Sequence, residues 1–183
     1  LLIVDVEGKG MLAAGLTERG RTMTRSLWID SVSPEEVLTK AGRLLLQEDE
    51  DQHVDVLLGR FGLADGVLEL AVAGHPPPVR CGVRSCDLVA VSPGPPLGTF
   101  DWEYEQVVTR LAPGETLVLC TDGVMEARRG ADLFGEARLV AAVRGQSRAP
   151  VERLAAAVRD AALAHAGRLD DDLQVLVVRR AGE

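Results

Sequence analysis

Apolar and polar positions follow two different periods along the chain, and the places where one gives way to the other outline the elements. Leu2, Ile3 and Val4 form a short strand-like run ending at Asp5, after which Gly8 and Gly10 permit a tight backbone turn. From 11 to 28, Leu12, Leu16, Met23 and Leu27 recur at helical spacing, opposite a polar face of Thr17, Glu18, Arg21 and Arg25; Gly20 weakens the middle. Ser33, Pro34 and Glu36 read as an N-cap, a first-turn proline and a capping-box acid. A second helix over 34–47 follows, with Val37, Leu38, Ala41 and Leu45 turned inward. Its acidic end, Glu48 to Asp51, opposes the helix dipole and reads as a frayed, solvated loop. Two strands, 54–61 and 67–73, flank the turn residues Leu63, Ala64, Asp65 and Gly66, and further strands are expected at 79–83, 88–91, 103–111 and 116–121. Leu117 to Cys120 and Val175 to Val178 are apolar without alternation, so both runs are expected as central strands covered on both faces. In an antiparallel protein this calls for two sheets packed face to face with helices outside, four layers in all. Helices over 136–144 and 150–164, the latter with Val151, Leu154, Val158 and Ala161 inward, cover the second sheet.

A length of 183 residues and 46% hydrophobic content suffice for a sizeable core in one folded domain, 1–183. No apolar stretch approaches the roughly 20 residues needed to span a bilayer, and the first ten residues lack a signal peptide's basic start and cleavage site. A cytoplasmic location is therefore expected. The formal net charge of −8, with only two Trp, one Tyr and three Phe, argues against nucleic acid or an anionic membrane as partner. Cys81, Cys86 and Cys120 are odd in number and lack a second Cys or His pair to complete a zinc site, so reduced thiols are expected. Cys120, inside an apolar strand, reads as an inert core thiol.

Candidate chemistry sits in three acidic elements: Asp5 in VDVEGKG, Asp122 in LVLCTDGVMEAR, and Asp170, Asp171 and Asp172 before the last strand. Each adjoins a strand-like run. Carboxylates at strand ends backed by glycine are how oxygen-only sites for Mg²⁺ or Mn²⁺ are built, and such sites serve phosphate chemistry. Taken singly, each acid reads more simply as a turn, cap or solvated loop residue; their joint occurrence favours the metal reading. His75 in AGHPPP, exposed by its context, reads as part of a rigid turn. His53 and His165 read as surface residues, and Glu126 with Arg128 as a surface ion pair.

The succession DVEGKG, AGHPPPV, SPGPPLGTF, LAPGETLVLCTDGVMEAR, LFGEARL and DDDLQVLVV resembles the bacterial stage-II-sporulation-E type of PPM (PP2C-like) serine/threonine phosphatase, over almost the whole chain. The resemblance implies an α+β fold, a four-layer α-β-β-α sandwich of two mostly antiparallel sheets flanked by helix pairs. It implies a metal-dependent phosphoserine/phosphothreonine protein phosphatase with two Mn²⁺ or Mg²⁺ ions, acting on an anti-sigma-factor antagonist in a partner-switching circuit. Asp5 matches the bridging metal ligand, Val6 a backbone carbonyl ligand, Asp122 the aspartate of the TDG element, and Asp171 the acid before the last strand. Asp172 is its neighbour within a one-residue register choice, and Asp170 a solvated third acid. Asp5, Asp122 and Asp171 are thus the expected catalytic acids.

Two cations roughly 4 Å apart activate a water for in-line attack on phosphorus and neutralise the phosphate oxygens, so no protein nucleophile is needed. Lys9 stands where some relatives carry a histidine, and a lysine with an ordinary pKa near 10.4 is a reluctant leaving-group acid. Relatives also carry a preceding strand or hairpin with a GD-type acidic motif. The chain is therefore expected to be N-terminally incomplete, with a degenerate enzyme as the alternative. A pseudophosphatase that binds a partner protein without turnover, and a phosphoesterase for small molecules, remain the other readings. The resemblance further implies a homodimer through the helices at 11–28 and 34–47, whose movement would shift the Asp5 turn.

Overall fold

The computed structural model describes residues 1–6, 11–47, 53–166 and 172–182. The first half of the chain runs β1 (Leu2–Val6), α1 (Met11–Leu27), α2 (Pro34–Leu45), β2 (Val54–Phe61), β3 (Val67–Ala73), β4 (Val79–Cys81) and β5 (Cys86–Leu88). The remainder is β6 (Gln106–Arg110), β7 (Thr116–Cys120), α3 (Asp122–Met125), β8 (Arg128–Arg129), β9 (Asp132–Leu133), α4 (Gly135–Gly145), α5 (Val151–Ala166) and β10 (Val175–Arg179). Gly8, Lys9 and Gly10, the acidic run Glu48 to Asp51, and Asp170 and Asp171 lie outside the described residues. The result is a mixed α+β fold with two antiparallel four-stranded sheets, each packed on its own helix pair. Two compact units divide it, Leu1–Pro76 with Ala90–Arg110, and Pro77–Val89 with Leu111–Glu183.

In the first unit the strand order is β1-β2-β3-β6. One sheet face presents Val4, Val6, Val54, Val56, Leu58, Ala71 and Ala73 to the helices, where α2 inserts Val37, Leu38, Ala41 and Leu45. Val37, Leu38 and Leu45 each contribute about 1.5–3 kcal/mol, and the Ala41 methyl less, which makes α2 the element that anchors this face. Its N-terminus departs from the expected capping box. Ser33 is extended and makes no side-chain cap, while the Glu36 carboxylate accepts the Val32 N–H one residue earlier, at 2.8 Å. Helix α1 lies on the sheet more loosely, through half-buried Leu16, Met23 and Leu27. Gly20 proves to be its point of closest approach: a Cβ there would stand 3.0 Å from Val54 and 3.2 Å from Val4. The small residue trades intrinsic helicity for contact with the sheet.

The second unit orders its strands β10-β7-β4-β5. Val79, Val118 and Cys120 face Leu139 and Val143 of α4 and Leu154, Val158 and Ala162 of α5. Strand β7 is buried throughout, as its continuous apolar run predicts. Strand β10 is not central: it pairs only with β7 among the described residues, stands at the sheet edge and is half-buried. Its apolar run packs against α5 rather than between two strands. Strand β5 starts at Cys86, two residues before the expected 88, because Cys81 and Cys86 pair across the hairpin and are joined as a disulfide. The expected reduced pair is thus corrected, and Cys120 is the free, buried thiol. His165 is likewise no isolated surface residue; its Nε2 lies 2.9 Å from the Asp132 carbonyl and its ring meets Phe134 edge-on. Arg129 donates to the carbonyls of Ala164 and His165, so the β8–β9 hairpin is docked on the end of α5.

Candidate metal centre

In the first unit Asp5 lies within β1 rather than after it, since the strand continues to Val6. Its partner across the antiparallel ladder is Asp55 of β2, with Val4 opposite Val56 and Val6 opposite Val54. Because the flanking valines face the helices, the pleat turns Asp5 and Asp55 to the opposite face. Directly opposed residues have Cβ atoms about 4.5–5.5 Å apart, and like charges at that distance destabilise a ladder unless something offsets them. The Val6 N–H donates to Asp5 Oδ1 at 2.9 Å and fixes that carboxylate oxygen.

Next in the same row comes Gly74, the residue after β3, which follows from the register that pairs Val56 with Ala73. Its φ of +69° is left-handed, and a Cβ built on it would sit 2.0 Å from Asp55 Oδ1. Glycine is required here on both counts. Its N–H donates to the Gly94 carbonyl at 2.9 Å, which ties the loop before the prolines to the sheet. His75 follows and is only 1% exposed, which corrects the exposed placement; its Nδ1 lies 2.9 Å from the Pro76 carbonyl. A ring held in a buried turn fits the structural role expected of it. Sequence reasoning passed over Asp55, although an acid inside an otherwise apolar strand was a usable signal.

In the second unit Asp122 opens the short helix α3 directly after β7 and Thr121, so the TDG element turns into a helical turn rather than a bare bend. The carboxylate stands in the first turn of that helix, and one of its oxygens, Oδ1, is buried with no hydrogen-bond partner among the described residues. An unsatisfied buried carboxylate oxygen costs several kcal/mol, and the group that relieves it best is a hard cation. The residues present therefore fit a divalent metal at this position.

Thr121 links the two acidic elements of this unit. Fully buried, its Oγ1 donates to the Asp172 carbonyl at 3.2 Å and accepts the Gln174 N–H at 3.1 Å. The segment before β10 is thereby held beside Asp122, with the Asp172 residue itself exposed. Asp171 lies outside the described residues, and among these no three acidic, His or Cys side chains group as metal ligands. Burial, and after it the Asp122 charge, push the neighbouring Cys120 thiol up to about 12. It stays protonated at neutral pH and has no thiolate to offer as a nucleophile. Glu126 and Arg128 form the expected exposed ion pair, at 3.8 Å.

The family model described as Stage II sporulation protein E matches residues 1–181. Among solved structures the chain is similar to the RsbU and RsbW domains of Rv1364c from Mycobacterium tuberculosis, with a TM-score of 0.85 and 24% identity over 98% of this chain and 51% of that one. It is similar to the SiaA-PP2C domain of Pseudomonas aeruginosa, with a TM-score of 0.84 and 21% identity over 97% of this chain and 74% of that one. A third likeness is to the PP2C phosphatase domain with a fragment of the regulatory domain of SpoIIE from Bacillus subtilis, TM-score 0.82, 18% identity, covering 98% and 52%. The chain thus spans about half the length of the first and third of these. At such identities the likeness shows the PP2C-like fold. No curated protein matches the chain.

Proposed function

Because the chain belongs to the Stage II sporulation protein E family, we propose that it is a metal-dependent phosphoserine/phosphothreonine protein phosphatase. The observation that carries this reading is the buried Oδ1 of Asp122 on the TDG turn, which has no hydrogen-bond partner among the described residues. Asp5 with the Val6 carbonyl, and Asp122 with Asp171 or Asp172, are the oxygen donors for two Mn²⁺ or Mg²⁺ ions. All are hard ligands of the kind these ions take. A relative of the same fold, RsbX, has been solved in complex with magnesium. When bound, such ions supply an activated water and neutralise the phosphate oxygens.

The chain's own residues supply position. Thr121 holds the Asp172 segment against the TDG turn, and the Val6 N–H fixes the Asp5 carboxylate. Asp55, opposite Asp5, adds negative charge that draws cations to the same sheet face. Cys120 keeps its proton at neutral pH and offers no thiolate, in keeping with a water nucleophile. The substrate class is a phosphorylated protein, an anti-sigma-factor antagonist by family membership, and the cytoplasm is the compartment such a circuit requires. No helix among the described residues is long and apolar enough to cross a membrane. The exposed apolar side chains of Ile29 (83%) and Val32 (75%), in the connection between α1 and α2, favour a homodimer through this helix pair.

Hydrolysis of a phosphoserine protein and of an aryl phosphate, with Mn²⁺ and with chelator, tests the reading beside Asp122→Ala. Mn²⁺-dependent release of phosphate from the protein, lost in the variant, supports it. Turnover of the aryl phosphate alone would point to a small-molecule phosphoesterase, and silence on both to a partner-binding pseudophosphatase.

A further inference from the structure

At the end of the second unit's sheet remote from Asp122, a cavity of about 210 Å³ opens between the β4–β5 turn, the turn at Gly114 and the loop after α4. Strand register fixes its distance from the candidate metal centre. Cys81 pairs with Thr116 at the start of β7, and Asp122 lies six residues further along the chain. At about 3.3 Å per residue the two places are some 20 Å apart.

The cavity is lined by Arg84, Arg144 and Arg148, with Ser85 and Ser147 between them. Some arginines of this acidic chain are matched to carboxylates, as in Arg43 with Asp101 and Arg138 with Asp132, and others to carbonyls, as in Arg129 with Ala164 and His165. Arg84 and Arg148, by contrast, make no ion pair or hydrogen bond among the described residues, while Arg144 spends one N–H on the Cys86 carbonyl at 2.9 Å. Glu115 stands beside Gly82 and accepts the Ala112 N–H. Nor are the carbonyls after α4 a competing attraction, because Arg179 already donates to those of Ser147 and Ala149. The Cys81–Cys86 disulfide closes the base of the turn that carries Arg84 and Ser85.

All three arginines are exposed and line one cavity, and the planar fork of arginine matches phosphate oxygens in pairs. Two serine hydroxyls add donors that rotate to suit a tetrahedral group. The volume is below the roughly 300–1,000 Å³ of pockets for larger ligands, so it fits a headgroup-sized anion. We infer that this cavity is a second, metal-independent site for a small phosphate dianion, either inorganic phosphate or a low-molecular-weight phosphomonoester. It does not rest on the metal reading.

The test is titration of the full chain with inorganic phosphate and, separately, with O-phosphoserine, in chelator so that the candidate metal centre recruits neither. Thermal stabilisation and ³¹P line broadening are the readouts. The Arg84→Gln, Arg148→Gln double variant touches no contact in the structure, so its melting temperature without phosphate should match the parent's. Its apparent Kd for phosphate should rise at least about tenfold, and Arg148→Lys should fall between the two. Tighter binding of inorganic phosphate identifies the free anion as occupant; tighter binding of O-phosphoserine identifies a phosphomonoester. No stabilisation of the parent at about 10 mM phosphate, or equal stabilisation of parent and double variant, would overturn the inference.

Discussion

Replacing Gly74 with alanine strikes the sheet face that carries Asp5 and Asp55. The backbone there has φ +69°, which costs an L-residue about 1–2 kcal/mol. The new Cβ would lie 2.0 Å from Asp55 Oδ1, 2.7 Å from its carboxyl carbon and 2.9 Å from Pro96 Cγ. The carboxylate can swing away, but the proline ring and the Gly74 N–H bond to Gly94 resist a backbone shift. Together these effects should cost about 2–4 kcal/mol, within the range of named, severe single-site effects. For a chain of this size that lowers the melting temperature by roughly 5–12 °C. Urea unfolding of the parent, Gly74→Ala, Asp55→Ala and the double variant separates the contributions. If the Cβ clash is with Asp55, the double variant recovers at least about 1 kcal/mol relative to additivity. The displaced carboxylate also leaves its place opposite Asp5, so stabilisation by Mn²⁺ should shrink in Gly74→Ala. A loss below about 1 kcal/mol, or strict additivity with Asp55→Ala, would refute the reasoning.

Thr121→Val removes the hydroxyl that joins Asp172 and Gln174 to the TDG turn and leaves the part-buried Gln174 N–H short of its acceptor. It should cost about 1–3 kcal/mol in urea unfolding and weaken Mn²⁺-dependent stabilisation. Cys120, with its pKa raised to about 12, should resist thiol reagents in the native protein at pH 8 and react only on unfolding. The same shift gives stability a pH dependence. Below the unfolded thiol's pKa of about 8.5 both states hold the proton and nothing changes; above it the unfolded state loses a proton that the folded state keeps. Stability should then fall by up to about 1.4 kcal/mol per pH unit toward pH 12. The Tyr104 phenol, raised by burial and by Asp55, steepens the fall above pH 10. A urea midpoint flat from pH 8 to 10.5 would contradict this.

Local pattern was enough to identify α2, where every inward residue named from periodicity is buried, and the β2–β3 pair, whose turn chemistry is unambiguous. It failed where burial is decided by elements distant in sequence. The apolar run of β10 could mean either a strand between two others or an edge strand under a helix, and α5 makes it the latter. His75 looked exposed beside three prolines, yet the turn folds inward and buries it. Gly20, a weak point by propensity alone, is where α1 meets Val4 and Val54. Of the candidate site, Asp5 and Asp122 stand out in the sequence because each closes an apolar run and has glycine within three residues after it. Asp55 stands out in the sequence only as an acid in an apolar strand, and the ladder register is what makes it the partner of Asp5. The Cys81–Cys86 bond was hidden for the same reason, since spacing alone says nothing of cross-strand pairing.

The most direct measurement is a Mn²⁺ titration of the full chain and of Asp122→Asn, followed by calorimetry and by thermal stability. Removing the buried charge should leave the metal-free variant as stable as the parent or more so, because Oδ1 has no partner to lose among the described residues. The parent should bind Mn²⁺ and gain stability with concentration, and the variant should lose at least about tenfold in affinity. Equal binding by both, or none by the parent, would contradict the account.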